Sequence, residues 1–258
     1  MATLEILDHG VCKVAVAPVR AEASDAAEIV TQLLFGDYVQ VLQAGRPWIK
    51  IKMAYDGYEG WMDFKQLSYI TDSEYSESHR LNHQSITNQT LYVYGPSGPQ
   101  ILLMGGSLPN LEDNIFGFGD EKFEFMQDLE DTPADPVDTA LKYLNTPYLW
   151  GGKSPFGIDC SGLAQIVARI HGLNVPRDTS QQVHYGEAID FKDRKAGDLL
   201  FFSNSKGRVG HVGILVEKDV ILHAAGCVRR DMVNTTGIFR ADFDDYSHTF
   251  HSIRRWFE

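Results

Sequence analysis

Pro147-Tyr148-Leu149-Trp150-Gly151-Gly152, followed by Lys153 to Ile158 and then Asp159-Cys160-Ser161-Gly162-Leu163, is where this sequence declares its architecture. Two prolines and three glycines between Asn145 and Gly157 mark a loop. Leu163, Ile166, Val167 and Ile170 then recur at helical spacing, and Gly172 stands where a helix C-cap wants glycine. Cys160 therefore falls in the first turn of a helix that leaves a glycine-rich loop. The positive end of the helix dipole and unpaired N–H groups there lower a thiol's pKa and favour the thiolate nucleophile.

A nucleophilic thiol needs a base. Downstream, Leu199 to Phe202 is a continuous apolar run, and Val212, Ile214 and Val216 alternate with His211, Gly213 and Leu215. Val220 to Ala225 is the next strand and carries His223. Adjacent antiparallel strands can set His211 and His223 side by side, one ring serving Cys160 and the other orienting the first. An isolated cysteine is ordinarily an inert small hydrophobe, and Cys12 and Cys227 are read that way. The other seven of the nine histidines are read as structural or exposed. Zinc is not expected, because the chain has no Cys-x-x-Cys and no His-Glu-x-x-His.

Upstream, Asp135-Pro136 starts a helix whose apolar positions are Val137, Ala140, Leu141 and Leu144. Helices ahead of a run of strands make residues 133–258 an α+β domain. The first 71 residues read instead as short strands. Ile49, Ile51 and Met53 share one face with Lys50 and Lys52 on the other, and Asp56-Gly57 turns into Tyr58-Glu59-Gly60-Trp61. That pattern suggests a small barrel. Thr71 to Asn88 is polar and reads as a linker, and residues 72–132 leave room for a second barrel.

The 258 residues carry a net charge of −12 and are 43% hydrophobic. That balance is globular, and its acidity argues against nucleic acid and anionic membranes as partners. No apolar run reaches the ~18 residues of a membrane span. The N-terminus shows no basic region followed by an apolar one, so a cytoplasmic location is expected, or a periplasmic one if a leader was removed. Three scattered cysteines do not make a disulfide framework.

Five segments, in order, resemble the NlpC/P60 cysteine peptidases: Pro147–Gly152, Asp159–Leu163, Ala196–Phe202, Gly210–Ile214 and Ile221–Ala224. The resemblance implies a papain-like α+β core, with the cysteine helix packed on an antiparallel sheet. It implies Cys160 as nucleophile, His211 as general base, His223 as the residue that orients it, and Tyr148 as a stabiliser of the tetrahedral intermediate. Trp150 is implied as a substrate contact. The segments Val19–Glu22, Val30–Gly36 and Tyr58–Trp61 resemble the SH3-like domain of γ-D-glutamyl-L-diamino acid endopeptidases. From these the expected substrate is a murein tri- or tetrapeptide, L-Ala-γ-D-Glu-diamino acid, cut during cell-wall peptide recycling without a cofactor. Glu22, Tyr58, Asp159 and Ser161 are implied as the site for its N-terminal ammonium, since a buried ammonium needs carboxylates and acceptors. Asp159 also fits a helix N-cap. The alternatives are a silent module that only binds wall peptides, or an amidase or acyltransferase on the same fold.

Overall fold

The computed structural model of the chain describes residues 8–79, 83–204 and 206–257. Contacts divide them into two compact units. One runs to Asp131 and takes in Lys153–Pro155; the other comprises Thr132–Gly152 and the residues from Phe156 onward.

The first unit opens with β1 (Asp8–Cys12), β2 (Val16–Arg20), β3 (Ile29–Leu34), β4 (Tyr38–Gln43), β5 (Trp48–Met53), β6 (Glu59–Asp63) and β7 (Leu67–Ile70). They form one antiparallel sheet in the order β3-β2-β6-β5-β4-β1-β7. The alternation in β5 acts as its period requires: Ile49, Ile51 and Met53 join a core with Val19, Leu33 and Met62. Thr71 to Asn88 is not simply a linker. It contains the helix α1 (Asp72–Ser78), started by a capping box in which the Thr71 hydroxyl accepts from the Glu74 N–H and the Glu74 carboxylate from the Thr71 N–H. Tyr75 is its buried anchor. Residues 80–82 of that stretch lie outside the described residues.

After α1 come β8 (Gln84–Ser85), β9 (Thr90–Gly95), β10 (Gly98–Leu103), β11 (Ser107–Leu108), β12 (Ile115–Phe118) and β13 (Glu121–Phe125). The stretch in which a second barrel is expected holds a four-stranded sheet, β10-β9-β13-β12, and a separate two-stranded pairing of β8 with β11. Its apolar face carries Leu91, Val93, Leu102, Phe116 and Phe123, and shares one core with Phe35, Tyr38 and Tyr75 from the preceding segment. A piece of roughly 40 residues cannot bury a sufficient core alone, so it borrows one.

The second unit starts with α2 (Pro136–Leu141), where the Asp135 carboxylate accepts from the Val137 N–H at 2.8 Å. In chain order there follow β14 (Lys153–Ser154), which counts with the first unit, then β15 (Gly157–Ile158), α3 (Cys160–Ile170), α4 (Thr179–Gln182), β16 (Glu187–Ile189), β17 (Leu199–Ser203), β18 (Val209–Glu217), β19 (Val220–Ala225), β20 (Cys227–Val233), β21 (Gly237–Arg240) and β22 (Asp245–Arg255). The strands run β16-β22-β17-β18-β19-β20-β21. The sheet is also closed. The long strand β22 pairs with β21 through Asp245–Thr249 and with β17 through Thr249–Arg254. Leu200, Phe202, Leu215, Ile221, Val233, Ile238 and Ile253 fill the interior. Successive residues of a strand face opposite ways. His211, His223 and Asp231 therefore share the inward face with Leu215, Ile221 and Val233 of their own strands, and α3 packs on the outside against β18 and β19.

The shared core of the first unit yields a direct test. Phe35 is fully buried and touches Phe116, Phe118 and Phe123 at ring-centroid distances of 5.8, 5.6 and 4.8 Å. Phe35→Ala is expected to destabilise that unit by about 3–5 kcal/mol. Urea unfolding followed by tryptophan fluorescence checks it, and a loss below about 1 kcal/mol would contradict a shared core.

Candidate active site

The helix carrying Cys160 begins at Asp159, whose carboxylate accepts from the Gly162 N–H at 2.7 Å as a helix cap. Its other oxygen accepts from the Gly151 N–H at 2.8 Å and pairs with the Arg177 guanidinium at 2.6 Å. Arg177 also donates to the Ser161 hydroxyl at 2.7 Å, and Ser161 in turn donates to Asp159 at 3.3 Å. Both members of the ion pair are almost fully buried. The glycine-rich loop is required by closeness: a Cβ on Gly162 would sit 2.3 Å from the carbonyl oxygen of Gly152, and Gly151 has φ +77°. The loop's first residues also pair with the start of β20, where the Tyr148 N–H donates to the Gly226 carbonyl at 2.9 Å.

These bonds set Tyr148 and Cys160 in one cleft of about 790 Å³ with Phe202, His211, Tyr246 and His248. Among the described residues that line it, none is Asp, Glu, Lys or Arg. The Cys160 sulfur accepts from the backbone N–H of Val212, the residue after His211, and is also hydrogen-bonded to the Thr179 side chain. His211 Nε2 lies 2.8 Å from His223 Nδ1, and His223 Nε2 lies 2.9 Å from Asp231 Oδ2. Asp231 in turn receives Arg229 at 2.8 Å.

The electrostatics correct one expectation. Burial pushes the Cys160 thiol up to about 11, and the charge of Asp159 adds to this. The Val212 N–H, the Thr179 side chain and Arg177 pull it back only in part. Desolvation thus outweighs the start of the helix and favours the protonated thiol. Burial also holds His211 well below the ordinary histidine value, aided by His223 and His248. Both shifts favour the uncharged forms, thiol and imidazole. Tyr148 is raised to about 12 by burial and by Cys160 and Asp159, so it keeps its proton and can donate.

Of the residues marked in the sequence, the structure brings Cys160, His211, His223 and Tyr148 together. Asp159 and Ser161 lie beside the nucleophile, but their side chains are engaged by Arg177, so the capping role of Asp159 is the one its contacts display. Trp150 is 60% exposed on the loop. Glu22 and Tyr58 belong to the first unit, Glu22 exposed after β2 and Tyr58 half-buried against its core. Sequence reasoning missed Arg177, Asp231 and His248. The His248 ring stacks on His211 at 4.1 Å between centroids, and burial lowers it to about 4, so it is uncharged at neutral pH. Among the described residues no group of three or more His, Cys, Asp or Glu is arranged to hold a metal ion, and no helix is long and apolar enough to cross a membrane.

Two outcomes follow. The base form of His211 persists to well below its usual range, so the acid limb of kcat/KM should fall far under the ordinary histidine value of about 6.5. The alkaline limb should wait for the thiol, near 11. A limb at about 6.5 in the pH profile would show His211 exposed and charged instead. Separately, Arg177→Leu leaves the Asp159 carboxylate buried and unpaired, which should cost about 3–5 kcal/mol in denaturant unfolding of the second unit.

The NlpC/P60 family signature matches residues 145–244, and the bacterial dipeptidyl-peptidase Sh3 domain matches residues 19–67. A γ-D-glutamyl-L-lysine dipeptidyl-peptidase of Bacillus cereus is 30% identical over 230 residues, covering 78% of this chain and 68% of its own. One of Bacillus subtilis is 32% identical over 219 residues, covering 76% and 72%. The crystal structure of an NlpC/P60 family protein from Bacillus cereus superposes with a TM-score of 0.76 over 96% of this chain and 99% of that one, at 22% identity, and so shares the fold. This chain belongs to the NlpC/P60 family and is a peptidase with a bacterial SH3-like domain ahead of its catalytic unit.

Proposed function

We propose that the chain hydrolyses the bond between γ-D-glutamate and an L-diamino acid in murein peptides with a free N-terminal L-alanine. The setting we assign is cell-wall peptide recycling in the cytoplasm. The observation that carries the chemistry is the cleft holding Cys160, His211 and Tyr148 beside the His211–His223 bond. The relatives named for γ-D-glutamyl-L-lysine cleavage support the bond chosen.

His211 Nε2 is engaged by His223, so Nδ1 is the nitrogen left to act as base. Cys160 attacks the scissile carbonyl carbon as its proton passes to His211 Nδ1. Because both groups rest neutral, charge appears only as the carbon–sulfur bond forms. Tyr148, which keeps its proton, donates to the developing oxyanion together with the backbone N–H of Cys160. Collapse breaks the C–N bond, and His211 returns the proton to the leaving amine. Water then attacks the thioester with His211 again as base, and the acid and Cys160 thiol are released.

The test is mass spectrometry of L-Ala-γ-D-Glu-meso-diaminopimelate and its L-lysine counterpart, each also N-acetylated. Release of L-Ala-D-Glu from the free-amine peptides alone is the expected result. Cleavage of the acetylated forms too would remove the amine requirement and keep the peptidase. Cys160→Ala should abolish turnover with the thermal transition preserved; activity surviving in that variant would end the mechanism.

A further inference from the structure

The geometry points to Asp231 as the positioning residue that decides which nitrogen of His211 is the base. The three inward-facing residues step diagonally across neighbouring strands. Gly213 is the register partner of His223, which leaves His211 two residues along on β18. Ile221 is the partner of Asp231, which leaves His223 two residues along on β19. Such diagonal neighbours lie within reach of long side chains. The resulting contacts are His211 Nε2 to His223 Nδ1 at 2.8 Å and His223 Nε2 to Asp231 Oδ2 at 2.9 Å.

A neutral imidazole has one N–H and one lone pair, so a chain of such contacts has a direction. Asp231 is an acceptor only. Hydrogen bonds from His223 and Arg229 keep it ionised and outweigh the burial that would raise it. A neutral His223 beside that acceptor carries its proton on Nε2 and presents a lone pair at Nδ1. That lone pair requires an N–H from His211 Nε2, and His211 is left with its lone pair on Nδ1. One carboxylate thus sets two tautomers in succession. The other oxygen of Asp231 is held by Arg229 at 2.8 Å, and Arg229 is itself held by Asp242 at 3.1 Å. Asp242 is gripped in turn by Arg240 at 2.6 Å, so the guanidinium beside Asp231 has little freedom to turn away.

This clamp makes Asp231→Asn informative. Arg229 can only donate, so it holds the amide oxygen, and the amide N–H₂ is forced toward His223 Nε2. Each ring must then shift its proton to Nδ1, and His211 loses its base nitrogen. The shape is almost unchanged while the direction of the chain is reversed. The inference rests on the peptidase reading of Cys160 and His211.

The experiment is a two-bond ¹⁵N–¹H correlation spectrum of the full chain labelled at histidine, taken without substrate, joined to kinetics on a γ-D-glutamyl tripeptide. In the wild-type protein His211 and His223 should both be protonated at Nε2. In D231N both should be protonated at Nδ1, with kcat reduced ~10²–10⁴-fold and KM little changed. Adding Arg229→Met releases the amide to turn its oxygen to His223, and should restore Nε2 protonation and at least a tenfold part of kcat. Nδ1 protonation of either ring in the wild type would overturn the assignment, even if D231N fails to fold. So would wild-type kcat in D231N, or a double variant worse than the single, which is what a purely structural role for Asp231 gives. Correct tautomers without hydrolysis would instead overturn the peptidase reading and leave the tautomer chain standing.

Discussion

Four donors converge on the carboxylate of Asp159: the Gly151 and Gly162 N–H groups, the Ser161 hydroxyl and the Arg177 guanidinium. Through them one side chain ties the glycine-rich loop, the first turn of α3 and the segment leading into α4 into a single knot. Cys160 is the next residue, so its position is inherited from that knot. Burying the ion pair is costly in itself and is offset only because every partner is in place. The same arrangement buries Cys160, and that burial raises its thiol although a helix begins there.

Closure of the second unit's sheet provides the complementary half. Because β22 pairs on both sides, the strands that carry His211, His223 and Asp231 have an inside, and the apolar cluster beneath them fixes their pleat. A one-residue slip of any of these strands would turn its polar residue outward. The hydrophobic interior thus sets the order of a polar chain it never touches chemically. β22 also delivers His248 against the face of His211, where an uncharged ring supports the base without competing for its proton.

What could be read before folding was local. Cys160 after a glycine-rich loop, His211 on an alternating strand and His223 on the next each sit in a short pattern whose period or punctuation is visible. Arg177 was not legible, because its partner Asp159 lies 18 residues away in sequence with no periodic relation to it. Asp231, within Arg229-Arg230-Asp231, looks like ordinary surface charge until the strand register turns it inward. His248 depends on the closure of the sheet, which no local pattern announces. The polar run after Thr71 hid a helix because its single buried aromatic, Tyr75, is outnumbered by serines and acids. The state of the Cys160 thiol was misjudged for a related reason. The helix start is written in the sequence, whereas the burial that outweighs it belongs to the fold.

The neutral state of Cys160 also bears on the life of the enzyme between turnovers. Peroxides, alkylating agents and disulfides react with thiolates, and their rates follow the fraction ionised. A thiol pushed up to about 11 offers very little of that form near neutrality. The burial that disfavours the thiolate therefore also disfavours these reactions at Cys160.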